Sequence, residues 1–201
     1  MKAALPRWRR SPAAGARLLC KADPEYAVLA LQTGTNLSAD QGLRAGSLRG
    51  HLAASLLTLA GAAPGTSVFD PFMGTGTILR AAARRFGATS CYGLEVAPEA
   101  YQLAGQRLSG ASYRLLNIRF DEFDPALLPA GARLVSNIPF GHRFDRTATP
   151  PLVRLIQGAP FCGRHVALLM SREQAGEVAA ATGLRARNVL VLGQPAAIVY
   201  G

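Results

Sequence analysis

A regular alternation of short apolar segments with segments of helical periodicity limits the folds that this chain can adopt. From residue 67 onward, most stretches rich in Val, Leu, Ile or Tyr are followed by one in which apolar residues recur at helical spacing, and a Pro- and Gly-containing loop follows Tyr113–Ile118 instead. Strands that alternate with helices join into a parallel sheet, so the pattern predicts an α/β fold with helices on both faces. The last two apolar segments flank Gly193-Gln194-Pro195 with no helix between them, which predicts a closing antiparallel hairpin.

The predicted elements follow from these patterns together with Gly and Pro breakers. The seven strands predicted for the sheet are Ser67–Phe69, Ser90–Leu94, Tyr113–Ile118, Arg133–Ser136, His165–Met170, Asn188–Leu192 and Ala196–Tyr200. The predicted helices are Leu48–Leu59, Thr77–Phe86, Pro98–Leu108, Pro151–Ile156 and Glu173–Ala181.

The first 43 residues differ in character from the rest. Residues 1–17 are basic and contain Pro and Gly, and one short strand is predicted over Tyr26–Leu31. We therefore expect a basic N-terminal arm or linker remnant over residues 1–43 and one folded domain over residues 44–201. The Arg-Trp-Arg-Arg run at residues 7–10 suits phosphate contact and base stacking, and a solvated tail is the alternative.

Charge narrows the partner classes. The 201 residues carry a formal net charge of +10, which points to a polyanion such as nucleic acid or to an anionic membrane surface. No apolar run approaches the roughly 18 residues that span a bilayer, and no signal-peptide core follows the N-terminus. Cys20, Cys91 and Cys162 form neither a zinc motif nor a disulfide framework, so we expect no metal and a reducing, cytoplasmic setting.

The segment Asp70–Ile78, DPFMGTGTI, connects a predicted strand to a predicted helix. Gly74 and Gly76 allow a tight turn and a close approach of the backbone to a ligand. Leu79 replaces the third glycine of the dinucleotide fingerprint, and no Gly-Lys-Ser/Thr follows as in a phosphate-binding loop. Asp70 would repel a pyrophosphate, but it can hold the ammonium group of an amino-acid-bearing ligand.

Two further acids follow the next strands. Glu95 ends a predicted strand, where a carboxylate can accept both hydroxyls of a ribose. Asp121 lies just past the third strand, where it can accept a hydrogen bond from an adenine amino group. Together with Asp70 they describe the chemical groups of S-adenosylmethionine. Taken singly, each acid also fits a turn or a helix cap.

The segment Ser136–Gly141, SNIPFG, directly follows the fourth predicted strand of the sheet. DPFMGTGT followed by NIPFG resembles the amino-methyltransferases, which carry an (Asp/Asn/Ser)-x-Pro-(Phe/Tyr) motif and methylate exocyclic amino groups of bases. The preceding helix GSLRGHLAASLLTLAG and the basic residues after Pro-Phe-Gly resemble most the RNA methylases found with a THUMP domain, including tRNA guanine-N2 methyltransferases. The resemblance covers residues 44–201.

The residue types of this motif suit the reaction that the resemblance implies. Asn137 can accept one hydrogen of an amino group, and the main-chain carbonyl at Ile138 or Pro139 can accept the other, which aims the nitrogen lone pair at a methyl group. Proline stiffens the turn, and Phe140 offers a stacking face worth about 1–3 kcal/mol for a flipped base. A strand-to-loop turn with a core Phe is the alternative interpretation.

The resemblance implies a Rossmann-like class I methyltransferase fold, with residues 44–201 as the catalytic domain. It implies transfer of a methyl group from S-adenosylmethionine to a base amino group in RNA, with guanine in tRNA favoured by the aliphatic Ile138. The alternatives are an adenine amino-methyltransferase acting on RNA or DNA and a nucleic-acid-binding module without catalysis. Residues 1–43 are too few for a THUMP domain, so a separate RNA-binding domain or protein is a further expected partner, and a membrane is not.

The site residues that follow fall into three groups. The expected catalytic residues are Asn137, Pro139 and Phe140. The expected cofactor-binding residues are Asp70, Phe72, Gly74, Gly76, Thr77, Glu95, Val96, Asp121 and Asn137. The expected nucleic-acid-binding residues are His142, Arg143 and Arg146, which flank the base pocket.

Overall fold

The computed structural model describes residues 17–22, 27–32, 48–139, 149–191 and 193–201. The chain divides into two compact units, residues 1–43 and residues 44–201.

The first unit contains an antiparallel pair of strands. Strands β1 (Arg17–Ala22) and β2 (Ala27–Gln32) pair along their full length, with Arg17 opposite Gln32. Strand β2 is shifted by one residue from the strand predicted over Tyr26–Leu31. Strand β1 is not anticipated by the sequence analysis, and the rest of the predicted basic arm, including residues 7–10, lies outside the described residues.

The second unit alternates strands and helices as the sequence pattern predicts. Its strands are β3 (Ser67–Asp70), β4 (Ser90–Leu94), β5 (Tyr113–Leu116), β6 (Arg133–Asn137), β7 (Val166–Met170), β8 (Arg185–Val191) and β9 (Gln194–Tyr200). Its helices are α1 (Gly50–Leu59), α2 (Thr77–Phe86), α3 (Pro98–Arg107), α4 (Thr149–Gln157) and α5 (Arg172–Thr182). Two 3-10 turns, at Phe120–Glu122 and Pro125–Leu127, follow β5.

The seven strands form one sheet in the order β5-β4-β3-β6-β7-β9-β8. Strands β3 to β7 are parallel, whereas β9 runs antiparallel to both β7 and β8. The predicted mostly parallel sheet with a closing antiparallel hairpin is therefore confirmed. In this Rossmann-like arrangement the chain moves outward from β3 to β5 and then returns to β6 on the other side of β3.

Alternating side chains of the strands bury both faces of the sheet. In β7, Ala167 and Leu169 belong to a core with α1, α2 and α3, whereas Val166, Leu168 and Met170 belong to a core with α4 and α5. This two-sided burial accounts for the nearly continuous apolar character of β7, since parallel strands covered on both faces lose the polar alternation of a half-exposed strand. Within the described residues, none of the helices has the length and apolar character needed to cross a bilayer.

The topology determines where a ligand can bind. The connection after β3 leads to one side of the sheet and the connection after β6 leads to the other, which leaves a crevice between the carboxyl ends of these two strands. Open α/β sheets bind ligands at such a switch point. Asp70 ends β3 and Asn137 ends β6, so two of the predicted site residues border this crevice.

Candidate active site

The loop between β3 and α2 is held tightly on the side that faces the protein. Gly76, in the left-handed conformation at φ 80°, caps α2, and a Cβ at this position would collide with the side chain of Leu108. The Met73 amide donates to the Leu94 carbonyl (2.9 Å), which ties the loop to the end of β4. Gly74, at φ 54°, has no heavy atom within 4 Å of the position its Cβ would take, so this part of the loop faces open space. The loop is therefore packed against the protein at Met73 and Gly76 and open at Gly74.

Asp70 is a buried carboxylate at the end of β3, with 1% of its surface exposed. Its Oδ1 accepts hydrogen bonds from Ser136 Oγ (2.6 Å) and from the Phe72 amide (3.1 Å). Burial raises the pKa of Asp70 to about 7; these two hydrogen bonds oppose the rise, and the nearby negative charge of Glu95 adds to it. An ammonium group is the type of ligand that would stabilise this charge, and the role of Asp70 in holding one stays a prediction.

Glu95 follows β4 and joins two parts of the site. Its Oε2 accepts from the Gly74 amide (2.9 Å), and its Oε1 accepts from the Ala97 amide (2.8 Å). The main-chain carbonyls of Glu95 and Val96 accept from Asn117 Nδ2 at 2.6 and 3.2 Å, which fixes this turn against the end of β5. Each carboxylate oxygen retains lone-pair capacity after one hydrogen bond, so Glu95 can still accept a pair of hydroxyl groups.

Three other predicted cofactor residues lie in this turn or on the segment from β3 to α2. The Val96 side chain is 63% exposed, which leaves an apolar surface beside Glu95. The Phe72 ring packs against the ring of Phe120, with centroids 4.8 Å apart, and so connects the loop to the 3-10 turn after β5. Thr77 is the first residue of α2.

Asp121 lies farther from the sheet than the sequence suggests. Strand β5 ends at Leu116, so Asp121 is on the 3-10 turn rather than just past the strand. Its two carboxylate oxygens accept from Arg119 Nε (3.0 Å) and Nη2 (3.1 Å), and this hydrogen-bonded ion pair lowers the pKa of Asp121. A cavity of about 190 Å³ opens beside it, between the 3-10 turn and α4.

Asn137 is the last residue of β6. Its Oδ1 is buried and accepts no hydrogen bond within the described part of the chain. Buried side-chain oxygens are nearly always hydrogen-bonded, so an orphaned one at the end of a strand in a ligand crevice indicates a position for an external donor. The next residue, Ile138, is fully buried and its amide donates to the Leu169 carbonyl (2.8 Å), which anchors the start of the motif.

Comparison with known protein families decides which class of protein carries this arrangement. Residues 41–150 match the family described as RMKL-like, methyltransferase domain, over more than half of the chain. The chain belongs to this family.

Relatives of this methyltransferase domain support the assignment. A tRNA (guanine(6)-N2)-methyltransferase from Thermus thermophilus is 40% identical over 108 residues, which are 50% of this chain and 31% of the relative. The crystal structure of TrmN from Thermus thermophilus superposes with a TM-score of 0.60 and 27% identity, over 92% of this chain and 58% of that one. The match thus spans about a third of the Thermus tRNA (guanine(6)-N2)-methyltransferase and somewhat more than half of the TrmN chain.

A more distant structure shows the fold alone. The putative RNA methyltransferase PH1948 from Pyrococcus horikoshii has a TM-score of 0.54 at 18% identity, over 76% of this chain and 84% of that one. The Rossmann-like fold expected from the sequence is confirmed by these structures.

Several predicted residues of the methyltransferase domain are not described by the structure. Phe140, His142, Arg143 and Arg146 all lie outside the described residues, so their proposed roles stay predictions. Pro139 is described and is partly buried directly after Ile138. Among the described residues, no group of three or more His, Cys, Asp or Glu side chains is arranged to hold a metal ion.

Three side chains at the site of the methyltransferase domain were missed by sequence reasoning. Ser136 donates to Asp70, Asn117 fixes the turn after β4, and Arg107 Nη1 donates to Thr75 Oγ1 (3.0 Å) in the loop. Asn117, in the Leu-Leu-Asn sequence at the end of a predicted strand, could have been found from its position. Ser136 and Arg107 make contacts 66 and 32 residues away, and no local pattern signals them.

Proposed function

We propose that this methyltransferase domain transfers the methyl group of S-adenosylmethionine to the exocyclic amino group of guanine in tRNA. The observation that carries the proposal is the buried Oδ1 of Asn137 at the carboxyl end of β6, which has no hydrogen-bond partner among the described residues. Asn137 lies beside the crevice that Asp70 and the glycine loop border, so the acceptor and the cofactor residues belong to one site. The Thermus relative's guanine-N2 specificity supports guanine as the base.

The cofactor would be held by residues of three strand ends. Asp70 would receive the ammonium group, Glu95 the ribose hydroxyls, and Asp121 the adenine amino group. The open side of Gly74 leaves room for a ligand to lie against the loop, and exposed Val96 offers an apolar contact for the adenine ring. When bound, S-adenosylmethionine supplies a methyl group activated for transfer by its sulfonium sulfur.

Asn137 would prepare the nucleophile. An exocyclic amino nitrogen is weakly nucleophilic because its lone pair is delocalised into the base. A hydrogen bond from one N–H to Asn137 Oδ1 and another to the carbonyl of Ile138 or Pro139 favour a pyramidal nitrogen with its lone pair aimed at the methyl group. The nitrogen would form its bond to the methyl carbon as the carbon–sulfur bond breaks, with the electron pair going to sulfur and S-adenosylhomocysteine as the leaving group. The methylated nitrogen would then release a proton to solvent, so no strong general base is needed. Phe140 would supply the stacking face for the base.

The organisation of the chain fits this proposal. Residues 44–201 would form the catalytic domain, with residues 1–43 as a basic arm or linker remnant. The net charge of +10 suits a polyanionic RNA, whose phosphates dominate affinity in such complexes. His142, Arg143 and Arg146, which follow the catalytic motif in sequence, would contact the RNA, with a separate RNA-binding domain or protein as a further partner.

Methylation of total RNA with S-adenosylmethionine labelled in its methyl group tests the proposal directly. Digestion of the RNA to nucleosides and chromatography should place the label in N2-methylguanosine, with tRNA as the labelled fraction. Label in N6-methyladenosine would overturn the choice of guanine. Cofactor binding without transfer to RNA or DNA would indicate a non-catalytic module instead. The Asn137→Ala variant, which should label the RNA at least about a hundredfold more slowly, controls for contaminating methylases.

A further inference from the structure

One hydrogen bond joins the two motifs of the site and takes no part in the proposed transfer of the methyl group. Ser136, which immediately precedes Asn137 on β6, donates from its hydroxyl to Asp70 Oδ1 at 2.6 Å. Ser136 is fully buried, and Asp70 ends the neighbouring strand β3. The bond is therefore shielded from water and spans the switch-point crevice.

The setting makes this bond electrostatically significant. A carboxylate out of contact with water strongly prefers its neutral form unless donors or cations compensate the lost hydration. Ser136 and the Phe72 amide donate to the Asp70 carboxylate, while Glu95 after β4 repels its charge. Arg107 reaches the same loop but donates to Thr75, and it is not among the groups that act on Asp70. Among the described side chains that act on Asp70, the Ser136 hydroxyl alone favours its ionised form.

We propose that Ser136 is a positioning residue that keeps the Asp70 carboxylate ionised and oriented for the ammonium group of S-adenosylmethionine. The inference rests on the proposed function in one respect, namely that Asp70 receives this ammonium group. Within the described part of the chain, the Ser136 and Phe72 donors both end on Oδ1, so we assign Oδ2 to the ligand.

Ser136 is adjacent to Asn137 in the chain, so the Ser136 hydrogen bond also affects the proposed acceptor. Ser136 and Asn137 share one peptide unit, so a shift of Ser136 moves the backbone that carries Asn137. Binding of a cation by Asp70 would strengthen the Ser136 bond, since a hydrogen bond to an ionised acceptor is stronger than one to a neutral group. Binding of the cofactor would thereby hold Asn137, the proposed acceptor for the amino group of the base, in a fixed position.

The Ser136→Ala variant tests this proposal through the pH dependence of cofactor binding. Calorimetric titration with S-adenosylmethionine should show affinity at pH 7 reduced by about tenfold, the effect of losing one hydrogen bond to a charged group. The reduction should shrink as the pH rises, because high pH ionises Asp70 in both proteins. The amino group of the ligand titrates identically in both experiments and cancels in the ratio of affinities. A reduction of equal size at every pH from about 6 to about 9, or no reduction, would overturn the proposal.

Two further variants separate this effect from general damage. Ser136→Cys keeps the size of the side chain but donates more weakly, so its affinity should lie between those of wild type and Ser136→Ala. Ser90→Ala, at the first position of β4 and the opposite end of the sheet, is the matched serine control and should bind like wild type. If Ser136→Cys bound as tightly as wild type, the size of the side chain would account for the loss in Ser136→Ala, and if Ser90→Ala lost as much affinity as Ser136→Ala, general damage would account for it. Either result would overturn the proposal.

Titration of the Asp70 carboxyl carbon by NMR, without any ligand, separates failure of this proposal from failure of the proposed function. The midpoint should move to higher pH in Ser136→Ala. A shifted midpoint in a protein that binds no S-adenosylmethionine would refute the proposed cofactor while leaving the electrostatic role of Ser136 intact. An unshifted midpoint in a protein that binds the cofactor would refute the role of Ser136 alone.

Discussion

Polar atoms at the centre of the site are buried, whereas the carboxylates on its flank are at least partly exposed to water. At the centre, on β3 and β6, Asp70 and Asn137 place polar atoms in surroundings from which water is excluded. On the flank, beyond β4 and β5, Glu95 is partly exposed and Asp121 is exposed and bound to Arg119. The same chemical groups thus work under very different dielectric conditions.

This difference in burial determines where a substitution should have a large effect. A buried polar atom without a partner, or a buried charge, raises the free energy of the empty protein, and a ligand that satisfies it recovers that free energy on binding. An exposed carboxylate exchanges one hydrogen bond for another with water, so its net contribution is small. We therefore expect large effects at the centre and small effects on the flank, and three predictions test this order.

The largest effect is expected for Asn137→Ala. Loss of the buried acceptor should lower kcat by about 10²–10³-fold, as for removal of one preorganised hydrogen-bonding group from other active sites, and leave S-adenosylmethionine affinity nearly unchanged. Single-turnover methyl transfer and calorimetry measure the two quantities separately. The exposed Asn188 on β8 provides the matched control, Asn188→Ala, with wild-type kcat expected. Equal losses of affinity and rate would contradict the role given to Asn137.

An effect on stability is expected for Asp70→Asn, and its sign follows from the raised pKa. Between the unfolded value of 3.8 and the folded value of about 7, the folded protein holds a proton that the unfolded chain has released, so stability falls as pH rises through this window. Relative to Asp70→Asn, wild type should lose about 4 kcal/mol of unfolding free energy from below pH 4 to above pH 7. Urea unfolding at a series of pH values measures the difference, and parallel curves for the two proteins would show that Asp70 titrates normally.

The smallest effect is expected for Asp121→Ala on the flank. Because this carboxylate is exposed and already paired with Arg119, its loss should weaken S-adenosylmethionine binding by about threefold or less. Competition binding resolves so small a change, and raising the salt concentration should reduce it further. A loss of tenfold or more would show that the flank closes around the cofactor and that the contrast with the centre is absent in the complex.

The sequence predicted the architecture well because its signals are local. Helix α2 and strand β4 have the predicted bounds, since Gly76 and Gly87 terminate α2 on both sides and a compact apolar segment defines β4. The closing hairpin followed from the absence of a helix between two apolar segments. Strand β1 was missed because its basic residues and the breakers before it resemble a linker.

The sequence indicates candidate residues for the site, whose roles stay predictions, but it does not indicate their interactions. Each of the motifs at Asp70 and Asn137 also fits a turn when taken alone, and they indicate a site because they occur together in the order of the family that they resemble. The Ser136 bond and the Arg119 pairing of Asp121 depend on three-dimensional distances that periodicity does not encode. The displacement of Asp121 onto a 3-10 turn arises because β5 ends at Leu116, two residues earlier than predicted.

Because Ser136 and Asn137 are adjacent on β6, the register of this strand determines the positions of both side chains. A strand that slips by one residue turns every side chain to the opposite face. Such a slip of β6 would bring Val135 or Asn137 to the place of Ser136 and leave Asp70 without its hydroxyl donor. Strand β6 is paired on both sides, with β3 and with β7, so only the native alignment satisfies both ladders. A misaligned molecule would then lack both the proposed cofactor contact and the proposed amino-group acceptor, so methyl-transfer activity would depend on correct strand assembly.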